Sequence, residues 1–226
     1  MARFDRLTVL NRTIQDGLVP LFYHGSIDTA TQVASAIARG GGHVLEFTNR
    51  GDFAIEVFSA LVKHCARTDP DLIIGVGSVE DAPTAALFIA HGANFVVGPS
   101  FDEETARLCN RHKIAYVPGC ATVTEIATAE EWGAEIIKIF PGETIGGPSF
   151  VKAVLAPRPW SRLMPTGGVT PEPENLKAWF GAGVTAVGMG SKLVRSDWVK
   201  AGNFDAIRDN VQATLQLVQS IRAEKQ

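Results

Sequence analysis

The chain has 226 residues, 46% of them hydrophobic and 20% charged, which is the balance of one soluble globular domain spanning 1–226 with enough apolar material for a core. Its formal net charge of -3 gives no electrostatic case for nucleic acid or membrane as a partner, and no apolar run is long enough to cross a bilayer. Three widely spaced cysteines (Cys65, Cys109, Cys120) without a CxxC pair, and an amino terminus broken by charges where a signal peptide needs an apolar core, point to a reduced, cytoplasmic protein.

Residues 1–16 read as a leading helix. Short β-branched or apolar runs then recur at 17–23, 43–48, 71–77, 93–98, 115–119, 135–140, 162–168 and 185–190, each predicting a strand. Between them lie amphipathic segments whose apolar residues return at three- and four-residue intervals, as a helix laid on a sheet requires. Several of these segments close on glycine just before the next strand, at Gly40 to Gly42, Gly92, Gly133 and Gly183. Residues 203–223 form a long closing helix. The repeat of roughly 24 residues predicts a single α/β domain, a (β/α)8 TIM barrel with an extra N-terminal helix and a long C-terminal one. A doubly wound open sheet also alternates strand and helix, but no GxGxxG follows the first strand. Polar or reactive residues also stand at most strand ends rather than at one switch point.

Lys138 is the most unusual residue, a lysine inside the apolar strand run EIIKIFP (135–141). Alternation puts Ile136, Lys138 and Phe140 on one face and Ile137 and Ile139 on the other. Holding an ammonium away from water is costly, and the neutral amine is the form that attacks a ketone to make an imine. The structural alternative is a lysine whose stem snorkels out to meet a carboxylate, and Lys192, just past the last strand, is the rival amine. Glu46, at the end of the second strand, suits proton transfer; as a structural residue it would pair with Arg50 or Lys138. Arg50, in the following loop, suits a carboxylate through its planar fork, and Ser78, past the third strand, offers a further hydrogen bond. The last two strands end in PTGG (165–168) and GMGS (188–191), glycines that let backbone N–H groups approach a phosphate at the position where this architecture holds one. The histidines (His24, His43, His64, His91, His112) form no HxH or HExxH pair, so no metal site is expected. Cys120 has no adjacent base and reads as a packed small residue.

Taken together, LEFTNR (45–50), GVGSV (75–79), VGP (97–99), VPG (117–119), KIFP (138–141), PTGGV (165–169) and GMGS (188–191) resemble the 2-keto-3-deoxy-6-phosphogluconate (KDPG) and 2-keto-4-hydroxyglutarate (KHG) aldolases over about residues 17 to 215. The resemblance implies a class I aldolase in which Lys138 forms a Schiff base with the C2 ketone and Glu46 shuttles protons. It implies that Arg50 and Ser78 hold the pyruvyl carboxylate and that Pro99 and Phe140 wall the pocket. Thr166, Gly167, Gly168, Gly190 and Ser191 would bind the phosphate end. It also implies a homotrimer acting on a phosphorylated 2-keto acid without a cofactor. The chain departs from the family pattern in having Ser78 for a threonine, Asn49 before Arg50, Tyr23-His24 where relatives often carry a basic residue, and Lys192 after Ser191. KDPG, its galactonate epimer (KDPGal) and KHG all remain candidate substrates. Read from the residues alone, a phosphosugar isomerase or epimerase using Glu46 as base, or a non-catalytic sugar-phosphate-binding barrel, also accommodates the glycine loops.

Overall fold

A computed structural model describes residues 2–224. The chain opens with helix α1 (Arg6–Asp16), capped by the Asp5 side chain on the Thr8 N–H at 3.0 Å and ended by Gly17 at φ 68. Five strands follow, β1 (Leu18–Phe22), β2 (Val44–Thr48), β3 (Ile73–Gly77), β4 (Phe95–Val97) and β5 (Ala115–Val117), each leading into a connection. The helices between them are α2 (Ile27–Arg39), α3 (Ala54–Thr68), α4 (Ala82–Ala90) and α5 (Glu103–His112). Past Pro118 come β6 (Gly119–Cys120), α6 (Val123–Glu131), β7 (Ile137–Ile139), α7 (Gly147–Leu155) and β8 (Leu163–Pro165). The chain closes with α8 (Pro173–Ala182), β9 (Val187–Met189), the short α9 (Ser196–Lys200) and α10 (Phe204–Ala223).

Both flanking helices and every expected strand are found; of the anticipated glycine stops, Gly41, Gly92, Gly133 and Gly183 are left-handed, whereas Gly40, which caps α2, keeps φ -76 and leaves the reversal to Gly41. Gly133 (φ 84) and Gly183 (φ 104) adopt the left-handed conformation after α6 and α8, a geometry that a side chain would oppose. No helix among the described residues is long and apolar enough to cross a membrane.

The architecture is α/β with a curled, wholly parallel strand layer, although the expected single ring is divided. One sheet runs β5-β4-β3-β2-β1-β9 and a second β6-β7-β8. The divide falls at Pro118, which has no N–H to give to a ladder. Its carbonyl still accepts from the Lys138 N–H at 2.9 Å, while the Val117 carbonyl accepts from Gly98 at 3.2 Å, so the chain passes from one neighbour to the other there. At the far edges the two sheets meet through the bridge Thr166↔Gly188 and a 2.9 Å bond from the Thr185 N–H to the Leu163 carbonyl. The strands beside both divides are two or three residues long, which leaves too few ladder bonds to carry a continuous sheet across.

Strand alternation sorts the core into two layers. Leu45, Phe47, Ile137 and Ile139 face outward into the large cluster shared with the helices. Within it the rings of Phe22, Phe47, Phe58 and Phe88 follow one another at centroid distances of 5.7, 6.0 and 5.1 Å. Val19, Val44, Ile73, Phe95, Ile136 and Met164 face inward and form a separate apolar cluster with Val9 and Leu10 of α1. The leading helix therefore plugs the end at which the strands begin. The inner layer is tight enough that a Cβ on Gly75 would overlap the Phe95 ring. Gly75→Ala is expected to destabilise the fold by about 1–3 kcal/mol through overpacking, read as a lower urea midpoint with an unchanged slope.

Candidate active site at the carboxyl ends of the strands

Glu46 and Lys138 stand one inward-facing position beyond Val44 and Ile136, directly above the apolar floor. Their residues are 1% and 5% exposed, so both charged types are held inside the strand layer. The surrounding backbone supplies the room. Glu46 pairs with Leu21 and Gly75, and a Cβ on nearby Gly77 would overlap its Oε1. Lys138 pairs with Gly119 on one side and Met164 on the other, and its Nζ lies 4.9 Å from the centroid of the Phe140 ring. That contact is a cation–π pair when the amine is charged and an apolar wall when it is neutral.

Neither structural alternative for this pair holds among the described residues. Lys138 forms no ion pair with a carboxylate, and Glu46 forms none with Arg50 or with Lys138. Glu46 Oε2 is buried with no hydrogen-bond partner. A buried polar oxygen without a partner costs about 1–3 kcal/mol, so the fold holds this carboxyl ready for something else to meet it. The third buried charged residue, Asp16, is by contrast engaged by Arg12 and His43. Lys192 is exposed on the loop after β9, outside the strand layer.

The loops that follow the strands carry the remaining expected residues. Arg50 donates from Nε to Ser78 Oγ at 3.4 Å, joining the loops after β2 and β3. Ser78 holds φ 58, a left-handed conformation costing about 1–2 kcal/mol outside glycine and typical of positions kept for function. Pro99 follows β4 with its carbonyl against Gly119, where a Cβ would overlap it. After β8, the Thr166 hydroxyl is buried without a partner, and Gly167 and Gly168 take φ 93 and 77. The Gly142 and Glu143 N–H groups bond the Thr166 and Gly167 carbonyls at 2.9 and 3.1 Å, fastening the loop after β7 to the loop after β8.

A cavity of about 380 Å³ opens beside these loops. It brings together Arg50, Gly190 and Ser191, whereas Lys138, Glu46, Ser78, Pro99, Phe140 and the loop of Thr166, Gly167 and Gly168 do not line it. Tyr23, His24, Thr48, Ser196 and Lys200 also line it; the sequence marked Tyr23-His24 only as a departure from the family pattern and did not single out Thr48, Ser196 or Lys200. Tyr23-His24 follows β1 as Arg50 follows β2, so a survey of polar residues past every strand would have assigned that pair to the same opening. Lys200 carries no such signal, because it is placed by α9, a helix too short for periodicity to show.

The cysteines are packed and inert. Burial pushes the thiols of Cys65, Cys109 and Cys120 each up to about 12, with nearby carboxylates adding to the effect at Cys65 and Cys120. Among the described residues no three His, Cys, Asp or Glu side chains are grouped to hold a metal ion.

With this geometry, the resemblance noted from the motifs acquires independent support. The family model for KDPG and KHG aldolases matches residues 9–210. A 2-dehydro-3-deoxy-phosphogluconate aldolase from Treponema pallidum is 31% identical over 94% of this chain and 98% of its own length. The KHG/KDPG aldolase of Escherichia coli K12 is 31% identical over 84% of this chain and 86% of its own. Among solved structures, the KDPG aldolase of Legionella pneumophila, with pyruvate captured at low pH as a covalent carbinolamine intermediate, superposes with TM-score 0.82 at 28% identity, covering 90% of this chain and 96% of that one. These relatives make the chain an aldehyde-lyase. The chain belongs to the KDPG and KHG aldolase family.

Because a thiol whose folded value lies near 12 yields little thiolate in mildly alkaline buffer, the three cysteines are expected to resist a disulfide reagent in the native protein. All three should react at once on denaturation, counted by absorbance of the released chromophore.

Proposed function

We propose that this chain is a class I aldolase that cleaves KDPG to pyruvate and glyceraldehyde 3-phosphate through a Schiff base on Lys138, and that it also cleaves KHG to pyruvate and glyoxylate. The observation that carries the reading is the pair Lys138 and Glu46, buried on the inner face of the strand layer and without ion-pair partners. The Legionella relative supports it, since a carbinolamine is the adduct of an amine and a ketone, and Lys138 is a buried amine on the same inner face of the strand layer as the Glu46 carboxyl.

In this reading the Lys138 amine attacks the C2 carbonyl, and loss of water from the carbinolamine leaves a protonated imine. Glu46 takes the proton of the C4 hydroxyl as the C3–C4 bond breaks, and the released electron pair moves into the imine. The aldehyde leaves, Glu46 returns a proton to C3 of the enamine, and water frees pyruvate from the lysine. Arg50 and Ser78 hold the pyruvyl carboxylate, and Pro99 and Phe140 bound the pocket. Thr166, Gly167, Gly168, Gly190 and Ser191 line the phosphate end. The two sheets act as arcs of one (β/α)8 barrel forming a single domain, a reading supported by the continuity through Pro118 and the Thr166–Gly188 bridge. No cofactor enters the scheme, and the protein works as a cytoplasmic homotrimer. A related chain at 26% identity and TM-score 0.80 belongs to a protein cage designed by fusing symmetric oligomeric domains, which supports self-association.

A chain described as native KDPGal, 26% identical with TM-score 0.81, keeps the galactonate epimer in the comparison of substrates. Measured kcat/KM is expected to rank KDPG above both KDPGal and KHG. Borohydride added with pyruvate should leave a stable adduct on the Lys138 peptide by mass spectrometry; an adduct on Lys192, or none, overturns the scheme. Glu46→Gln is expected to lower kcat by about 10²–10⁴ while pyruvate still becomes trapped on Lys138. Full turnover in that variant would remove the proton-shuttle role.

A further inference from the structure

The proposed reaction makes no use of Tyr116, a buried phenol on β5. Its neighbours Ala115 and Val117 face the inner floor, so alternation turns the tyrosine ring outward into the cluster shared with the helices. At 2% exposure its hydroxyl has to find partners within the protein. Both partners lie in the loop that follows β4. The Asp102 N–H donates to the hydroxyl at 3.1 Å, and the hydroxyl donates to the Ser100 carbonyl at 3.2 Å. Burial pushes this phenol above the usual tyrosine range, so it stays a donor in neutral and mildly alkaline solution.

The loop held in this way is the one that carries Pro99. At its far end the Asp102 carboxylate accepts from the Thr105 N–H at 2.8 Å and so starts α5. At its near end is Gly98, where a Cβ would stand 2.6 Å from the Ser100 carbonyl oxygen and 3.2 Å from the Tyr116 hydroxyl. Between these points the Pro99 carbonyl presses on Gly119 so closely that a Cβ there would overlap it. Gly119 is the ladder partner of Lys138, and the Pro118 carbonyl before it accepts from the Lys138 N–H at 2.9 Å. The loop after β3 leans on the same strand end. There the Val79 N–H, next to Ser78, donates to the Val97 carbonyl at 3.2 Å. A hydroxyl on the outer face thus fixes a loop that touches the strand beside Lys138, where a misplacement of about 1 Å is enough to slow a reaction.

We propose that Tyr116 is a positioning residue for the pyruvyl half of the substrate, acting through its clamp on residues 98–102 and the contact of Pro99 with Gly119. This inference rests on the aldolase reading and deepens it. In that reading Lys138, Ser78 and Pro99 all serve the three carbons that KDPG, KDPGal and KHG share. Loss of the hydroxyl therefore weakens each substrate alike and leaves the choice among aldehydes unchanged.

The test compares wild type with Tyr116→Phe, which keeps the ring, and Gly98→Ala, which keeps the phenol but displaces the Ser100 carbonyl. Borohydride trapping at increasing pyruvate is expected to show a half-saturating concentration raised about three- to tenfold in Tyr116→Phe. The same variant should lower kcat/KM for KDPG and for KHG by similar factors, with their ratio unchanged within about twofold. Gly98→Ala should reproduce this pattern, and it decides the question alone if Tyr116→Phe does not fold. A lower urea midpoint with unchanged half-saturation gives the hydroxyl a role in stability only and overturns the proposal. A loss confined to one of the two substrates overturns it as well. Wild type that traps no pyruvate on Lys138 overturns the aldolase reading itself. Trapping by wild type that both variants match overturns only the role of Tyr116.

Discussion

Keeping an amine and a carboxyl inside an apolar strand layer, each without a partner of opposite charge among the described residues, is the constraint on which the rest of this molecule is built. Ionisable groups tolerate such a place only if the surrounding structure overrides their preference for water. Here the floor of Val44, Ile73, Phe95, Ile136 and Met164, sealed from below by Val9 and Leu10 of α1, excludes solvent from one direction. The outer cluster, with the aromatic run from Phe22 to Phe88, excludes it from the sides. What stays open is the end where the strands finish, the direction from which a substrate could come.

The local stability given up at the site is small in each place and spread over several residues. Among the described residues Glu46 Oε2 and the Thr166 hydroxyl find no partner, and Ser78 holds a left-handed backbone. Each departure costs about 1–3 kcal/mol, and each is surrounded by rigid packing that forbids relaxation. Glycines supply the space. Gly77 leaves room for the Glu46 carboxyl, and Gly188 for the Thr166 hydroxyl that a Cβ there would overlap. A mutable loop could not maintain such tolerances, which accounts for the two buried groups standing on strands while Arg50 and Ser78 stand on the loops after them.

The distribution of charge around the strand ends carries a separate lesson about specificity. Glu143 over Gly168 and Lys200 on α9 put opposite charges near neighbouring strand ends, since β8 and β9 meet at the bridge Thr166↔Gly188. Glycine motifs indicate where backbone can approach an anion. Of the basic side chains that line the cavity, Arg50 lies within the LEFTNR motif and Lys200 outside the motifs.

Much of this was legible in the order of residues. Apolar runs and periodicity located eight strand segments, of which the one at 115–119 divides into β5 and β6, together with both flanking helices and the out-of-place Lys138, because a period of two or of three to four residues is imposed locally by backbone geometry. The company of Glu46, Arg50, Ser78 and the glycine pairs was legible because parallel strands return each strand end to the same side. The division of the strand layer at Pro118 follows from a missing N–H, a local fact whose consequence depends on how few ladder bonds its neighbours make. Three things were decided by tertiary structure alone. The absence of an ion pair on Lys138 and Glu46 among the described residues depends on where the side chains of other strands and loops come to lie, not on their order in the chain. The plugging of the floor by α1 depends on where that helix docks. The gathering of Tyr23, His24 and Lys200 around one cavity joins chain segments nearly the full sequence apart, and no local pattern encodes a distance in space.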